Sequence, residues 1–563
     1  MTSLGISRTS STEPVATGRR INSVPGPRAE TVLGVATTAV VAVLVLPPLG
    51  AVILAGAGSG LAPLRHPDVI LNTLLFGVST TALALLLGIV LALSLAPGVP
   101  GRALLERLVV MPLYLTPLLT ALGWSWLGSP RSGLLNLLLR AAFGPSVTIN
   151  MVSAAGAIVV TALAAAPLPF LLVSDALRAV DPSLLEAARV HGAAPRLAFR
   201  RIVLPLLLPA VLAAAALVFV QAIGMFSVPA VLGTPSGFQV ATTEIYQLLE
   251  SYPPRIADAT AWGILLLGMT ALVMAAQSAL LGRRSFITIT GKAFRPNRMV
   301  PKAPRLRSTA AWTYVALATL LPLMALLWAA ISAFVTANPK LMRLTGEHFA
   351  YVLFSYPKTW LAMGNSVLLG VMTASLVALL GLAVSWIVLR APRHGRVLLD
   401  QLSMLPLSMP AMVFALGLLW VYVRVPLPIY GTIAILLIAY CTHYLPFGVR
   451  AIGAALRQLH PELEEAARVA GASWLRTMRR ITLPLVQPAV VAAWVLLFVM
   501  AMQEVSSSIL LYTSHSVVLS VAVFDLWENG NPSDVAALGF LQLIVSFLVV
   551  GAALGVRQRQ VVT

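Results

Sequence analysis

From Val69 to Ala96 the chain carries no charged side chain, and the same holds from Met363 to Leu389. A run of about 20 apolar residues is enough to cross the hydrocarbon core of a bilayer. Inside lipid every backbone N–H and C=O must be satisfied within the segment, which leaves the helix as the available geometry for such a run. The same pattern recurs along the sequence and yields twelve expected spans. Six lie in the first half, at roughly 31–55, 69–96, 108–128, 151–176, 205–232 and 259–282. Six more lie at roughly 309–335, 363–389, 401–423, 430–449, 484–512 and 534–556. Composition agrees: 59% of the residues are hydrophobic and 10% charged, where a soluble chain carries about a quarter charged. The expected fold class is an all-α polytopic membrane protein. Pro112, Pro117, Pro167, Pro169, Pro406 and Pro410 fall inside or beside spans and are read as kinks, which neighbouring helices make tolerable.

The charges sit between the apolar runs. The formal net charge is +19, which in a soluble domain would raise the question of nucleic acid; distributed over loops, it speaks of topology instead. With the amino terminus on the cytoplasmic side, the cytoplasmic segments hold 30 of the 38 Lys and Arg residues. That bias orients the chain by the positive-inside rule and puts both termini in the cytoplasm. The division expected is a disordered tail at 1–30, a first module at 31–282, a basic linker at 283–308, a second module at 309–556 and a short tail at 557–563. The first apolar run lacks an A-x-A-type cleavage site and is read as a retained span. The single cysteine, Cys441, excludes an internal disulfide framework.

The second module repeats the first. Glu186, Gly192, Ile202, Pro205 and Pro209 recur as Glu465, Gly471, Ile481, Pro484 and Pro488, always 279 residues later. Upstream, "NTLLFGVSTTALALLLG" from Asn72 is echoed by "NSVLLGVMTASLVALLG" from Asn365. Six spans per half make the two repeats parallel. Each repeated stretch reads as a short helix outside the membrane. Asp181 caps the first, Pro182 suits its first turn, and Gly192 permits a left-handed exit. Ala187 and Ala188, and likewise Ala466 and Ala467, give a low-relief face, with Glu186 and Glu465 as polar anchors. A single such helix could be a plain interfacial element with snorkelling arginines. Two, on the same side of matching halves, are docking elements.

The order E-A-A, three residues, G, nine residues, I-x-L-P resembles the signature loop of the membrane permeases of binding-protein-dependent ABC importers. The resemblance covers nearly the whole chain beyond residue 60 and implies the type I permease fold. It also implies a location in the bacterial cytoplasmic (inner) membrane, and transport by ATP-coupled alternating access. It implies two ATP-binding cassette subunits on the cytoplasmic side, contacted through Glu186, Ala187, Ala188, Gly192, Glu465, Ala466, Ala467 and Gly471. An extracytoplasmic solute-binding protein would deliver the cargo. ATP and Mg would be used by the ATPase partner, with no cofactor held by this chain. The segment from Gln503 to Gly539 resembles ferric-iron permeases; thiamine, phosphonate, polyamine and sulfate permeases are related alternatives.

No G-x-x-x-x-G-K-[ST] loop occurs, so no phosphate cradle is expected and the chain is not read as an enzyme. No histidine pair has metal-ligand spacing, and neither a catalytic nor a metal site is expected. A secondary transporter would need ionisable groups at membrane depth, where Asp175 and Glu504 are the acids available. A membrane-embedded glycosyl transferase would need outer carboxylates such as Glu244, Glu250, Asp258, Asp525 and Glu528, here read as solvated loop charges. Neither alternative accounts for the paired docking loops. Candidate translocation-path residues are Gln221, Gln503, Glu504, Ser506 and Ser507. Glu504 is expected about 30 Å along the eleventh helix, in the outer part of the bilayer. Its counterpart in the first half is Met225.

Overall fold

The computed structural model describes residues 27–57, 62–95, 98–282, 303–333, 343–390, 395–425, 428–530 and 532–562. Secondary structure among them is helical throughout, apart from one isolated bridge between Ser332 and Leu344. Among the described residues, nine helices are long and apolar enough to cross a membrane: Val32–Gly56, Pro67–Ser94, Arg196–Gly224, Ile256–Leu280, Pro304–Ile331, Thr359–Arg390, Ile433–Gln458, Trp474–Met502 and Pro532–Ala553. Three bent pairs supply the others: Arg102–Tyr114 with Pro117–Gly128, Ala154–Ala165 with Pro167–Ala179, and Arg396–Ser408 with Ala411–Arg424. In chain order these are spans 1 to 12, with spans 3, 4 and 9 bent.

The bends correct the kink reading. Spans 3 and 9 turn by 97° and 108°, whereas span 4 bends by 41°. In spans 3 and 9 the prolines end one helix and start another. Pro112 and Pro406 lie in short 3-10 turns, Pro117 opens the next helix, and Pro410 precedes Ala411–Arg424. A proline removes a backbone donor and disfavours helix in the residue before it, so two close together leave a gap and not a kink. Spans 5 and 11 also begin and end earlier than expected. Their helices stop at Gly224 and Met502, and separate short pieces follow at Pro229–Gly233 and Ser508–Leu511. Helix begins at Pro27 and Pro304 and continues to Val562, so residues assigned to the tails and the linker are partly helical. Residues 1–26 and 283–302 lie outside the described residues.

The two modules are built on the same contacts. Span 5 packs on span 2 where Phe219 meets Gly77, and span 11 packs on span 8 where Phe498 meets Gly370. After spans 5 and 11 the chain turns into short helices Ala241–Glu250 and Leu519–Glu528. The Thr73 hydroxyl accepts from the Ala241 N–H at 2.8 Å, and the Ser366 hydroxyl from the Leu519 N–H at 2.7 Å. One orphan donor of each helix start is thereby satisfied from the neighbouring span.

The first span of each module crosses to the other. Span 1 packs on spans 9 and 6, and span 7 on spans 3 and 12. Both crossings are closest at a glycine facing a proline carbonyl. A Cβ on Gly417 would stand 2.3 Å from the Pro48 oxygen, and one on Gly123 would stand 2.6 Å from the Pro322 oxygen. Polar bonds reinforce the exchange: Tyr314 Oη donates to the Leu163 carbonyl at 2.8 Å, and Trp420 Nε1 to Thr260 Oγ1 at 2.8 Å. One apolar core runs through both modules as a result.

Candidate functional site

The two repeated stretches form helices Pro182–Val190 and Glu462–Val469. In the first, Asp181 Oδ1 accepts from the Ser183 N–H at 2.8 Å, so the cap expected from sequence is made. Both helices end in the same left-handed turn, with φ of +75° at Gly192 and +81° at Gly471. The N–H of Gly192 bonds to the Arg189 carbonyl and that of Ala193 to the Ala188 carbonyl, each at 2.9 Å; Gly471 and Ala472 bond to Arg468 and Ala467 in the same way. This double closure is the Schellman motif, which glycine enters without the Cβ penalty.

Beyond the turn there is no hinge. Spans 5 and 11 begin inside the loops, at Arg196 and Trp474, and run 29 residues each. Each has one π-type turn, at Phe199–Val203 and Met478–Thr482, in equivalent places. Glu186, Ala187, Gly192, Glu465, Ala466 and Gly471 are exposed, while Ala188 is half-buried and Ala467 buried. Sequence reasoning missed the apolar part of this surface. Val190 and Val469, equivalent by the 279-residue offset, are 85% and 90% exposed, and Leu184 and Leu463 flank them at 44% and 46%.

The second loop has an anchor that the first lacks. Glu464 is buried, accepts from Thr482 Oγ1 at 2.9 Å, and faces Arg390 Nε at 3.8 Å. Arg390 in turn donates to the Leu456 and Leu459 carbonyls. The first loop has Leu185 at this position. Glu464→Ala leaves Thr482 without its acceptor and the buried Arg390 without its counter-charge, and is expected to cost about 2 kcal/mol. A lower thermal midpoint for the purified variant, with no comparable change in Leu185→Ala, is the measurement that checks it.

Of the candidate path residues, Gln503 bridges the two modules. Gln503 donates to the Leu113 carbonyl at 3.4 Å, joining the end of span 11 to the bend of span 3. Gln542 of span 12 donates to the Met502 carbonyl at 2.6 Å. Glu504 is not on the eleventh helix; it sits in the turn after Met502 and is buried. Its Oε1 accepts from the N–H and hydroxyl of Ser507, at 2.9 and 3.1 Å, and its Oε2 from Tyr444 Oη at 2.5 Å. Ser507 is buried with it, Ser506 is half-buried, and Gln221 is exposed. Sequence reasoning took Glu504 and its serines as one polar run but missed Tyr440 and Tyr444, which reach them from span 10.

On the side opposite the loops, helices Ala241–Glu250 and Leu519–Glu528 bring the modules together. Phe226, tilted, and Tyr246, edge-on, pack against Phe524 of the second module at centroid distances of 5.3 and 5.9 Å. Tyr246 Oη donates to the Glu528 carboxylate at 3.2 Å. Burial, with Glu250 and Asp525 nearby, raises the Glu528 pKa above the usual carboxylate range. Glu244 is buried, which corrects its reading as a solvated loop charge; Lys358 pairs with Asp525 at 2.7 Å.

Paired loops, a crossed two-module bundle and a polar turn at the module interface define a membrane transport component. The chain belongs to the family described as the binding-protein-dependent transport system inner membrane component, which matches it twice, over residues 84–285 and 378–561. It is 29% identical over 447 residues to the ferric transport system permease protein FbpB of Actinobacillus pleuropneumoniae, covering 78% of this chain and 64% of that one. It therefore spans just under two thirds of that relative's length. The Fe(3+)-transport system permease protein FbpB 2 of Haemophilus influenzae is 24% identical, covering 84% of this chain and 86% of that one. A shorter relative, the 2-aminoethylphosphonate transport system permease protein PhnV of Salmonella paratyphi A, is 32% identical over 36% of this chain and 77% of its own length.

Proposed function

We propose that the chain is the fused permease of an ABC importer that carries ferric iron into the cytoplasm. Two ATPase subunits and an extracytoplasmic solute-binding protein would work with it. The observation that carries this reading is the pair of equivalent loops, each presenting an exposed valine and joined without a hinge to a full span. The relatives that cover most of this chain and are named for ferric transport support the cargo. The distribution of Lys and Arg supports a cytoplasmic position for the loops and for both termini.

In this reading each loop helix sits in a groove of one ATPase subunit, with Val190 or Val469 buried in the contact. Closure of the two ATPases on ATP draws the loops together. Spans 5 and 11 move with them, and the contacts on the far side, Phe226 and Tyr246 against Phe524 and Glu528, separate. Release of ADP and phosphate lets those contacts re-form. This chain's part is to receive a displacement at two points and convert it into opening at one side and closing at the other. The bond broken is ATP's, in the partner.

The purified chain by itself is accordingly expected to hydrolyse ATP at the background rate. Reconstituted with the ATPase and the loaded binding protein, it should support ATP-dependent uptake of radiolabelled ferric iron into vesicles. Appreciable hydrolysis by the chain alone would overturn the reading, as would uptake that needs no ATP. Uptake of 2-aminoethylphosphonate in place of iron would move the cargo to that class and leave the permease assignment standing.

A further inference from the structure

The interiors of the two modules differ in span 10 and in the turn after span 11. Span 10 carries Tyr440, His443 and Tyr444, and the turn after span 11 carries Glu504, Ser507 and Ser508. At the 279-residue offset the first module has Thr161, Ala164, Ala165, Met225, Val228 and Pro229. Polar groups in the second module stand where the first module, Thr161 apart, is apolar.

These groups touch one another. Tyr444 Oη donates to Glu504 Oε2 at 2.5 Å, and Tyr440 Oη lies 2.6 Å from Ser508 Oγ. The Glu504 carbonyl accepts from the hydroxyls of Ser508 and Ser520, at 3.0 and 2.6 Å. The imidazole of His443 lies 5.1 Å from the Tyr444 ring and within electrostatic reach of Glu504. Its Nδ1 is buried without a hydrogen-bond partner among the described residues. A buried nitrogen left unpaired costs about 1–3 kcal/mol, and ionisable groups at membrane depth are costly enough to mark function.

We propose that His443 and Glu504, with the phenols of Tyr440 and Tyr444, form a single stop for a metal cation in transit, contributed by the second module alone. The proposal rests on the cation-import reading. Imidazole nitrogen and carboxylate oxygen are donors suited to iron and similar cations, and the carboxylate disfavours an anion such as a phosphonate. Glu504 Oε2 holds one hydrogen bond, from Tyr444. Rotation of that phenol frees Oε2, so in the conformation described here Tyr444 occupies the cation's place. Ser507 holds Oε1 in both states and keeps the carboxylate aimed. The first module, with Met225, Val228 and Pro229 at the equivalent positions, supplies no second set of donors.

The test uses the full chain reconstituted with its ATPase and binding protein in vesicles, reading ferric iron uptake and ATP hydrolysis in the same preparation. His443→Ala removes no hydrogen bond found among the described residues, and its thermal midpoint is read with its uptake because the imidazole packs on Tyr444. It is expected to lower uptake about ten-fold, while hydrolysis stimulated by the loaded binding protein stays within about two-fold of wild type. Glu504→Gln should do the same, and Glu504→Asp should recover part of the uptake. Wild-type uptake by His443→Ala overturns the proposal. So does a Glu504→Gln variant whose uptake, stimulated hydrolysis and thermal midpoint all fall together, because the carboxylate is then only a fastener of the turn. If the wild-type assembly hydrolyses ATP but imports no iron, the cargo reading fails first and takes the stop with it.

Discussion

Replacing both Gly192 and Gly471 by tryptophan is expected to reduce ATP-coupled uptake to background while the chain still accumulates in the membrane. Both glycines hold left-handed φ values, where an L side chain costs about 1–2 kcal/mol each. The turns are exposed and lie outside the spans, so that cost falls on the loops and not on the bundle. Among the described residues, nothing beyond the chain neighbours lies within 4 Å of where either Cβ would be. The indole therefore has room until a partner subunit occupies the same space. The expected signature is normal yield and a near-normal thermal midpoint, with loss of co-purifying ATPase. Gly→Ala at both positions meets the backbone strain without the bulk and should give an intermediate rate. Undiminished uptake by the double tryptophan variant would reject these loops as the point of coupling.

The sequence made the twelve spans legible because each is an apolar run with charges only at its ends, and span identity needs little more. It made the docking loops legible because Asp181, Pro182 and Gly192 are local signals whose partners lie within a few residues. The bends of spans 3 and 9 were harder. Pro112 with Pro117 and Pro406 with Pro410 read equally well as kinks, and whether a gap between two prolines opens to near a right angle depends on what packs into it. Leu113 at the bend of span 3 meets Gln503, which lies 390 residues away. The role of Glu504 was half legible. Its acidity at depth stood out, but its hydrogen-bond partner Tyr444 belongs to another span, and no periodicity connects the two. Glu464 was not legible for a similar reason: its partner Arg390 sits at the end of span 8. Contacts made within a turn of helix are written in the chain; contacts made across spans had to be seen.

Gly417→Leu is expected to cost the chain most of its folded yield, and Gly123→Leu to do the same. The two positions are equivalent, and at each the first span of one module crosses the bent span of the other. The obstacle is a backbone carbonyl, of Pro48 or of Pro322, and a backbone cannot rotate out of the way as a side-chain tip can. With a Cβ only 2.3 Å or 2.6 Å from that oxygen, the crossing helix must retreat by more than an ångström along a face it packs closely. Overfilling of this kind costs about 3 kcal/mol or more when the neighbour is rigid. The loss would be felt by both modules, because span 1 also packs on span 6 and span 7 on span 12. Gly268→Leu is the control: that glycine is exposed on span 6 with nothing within 4 Å of its Cβ position. Size-exclusion yield and thermal midpoint in detergent should fall sharply for the two crossing variants and stay level for the control. If Gly417→Leu and Gly123→Leu both melt with the wild type, the modules are not locked by their exchanged first spans. Cohesion of the fused bundle would then have to come from the contacts around Gln503 and Gln542 instead.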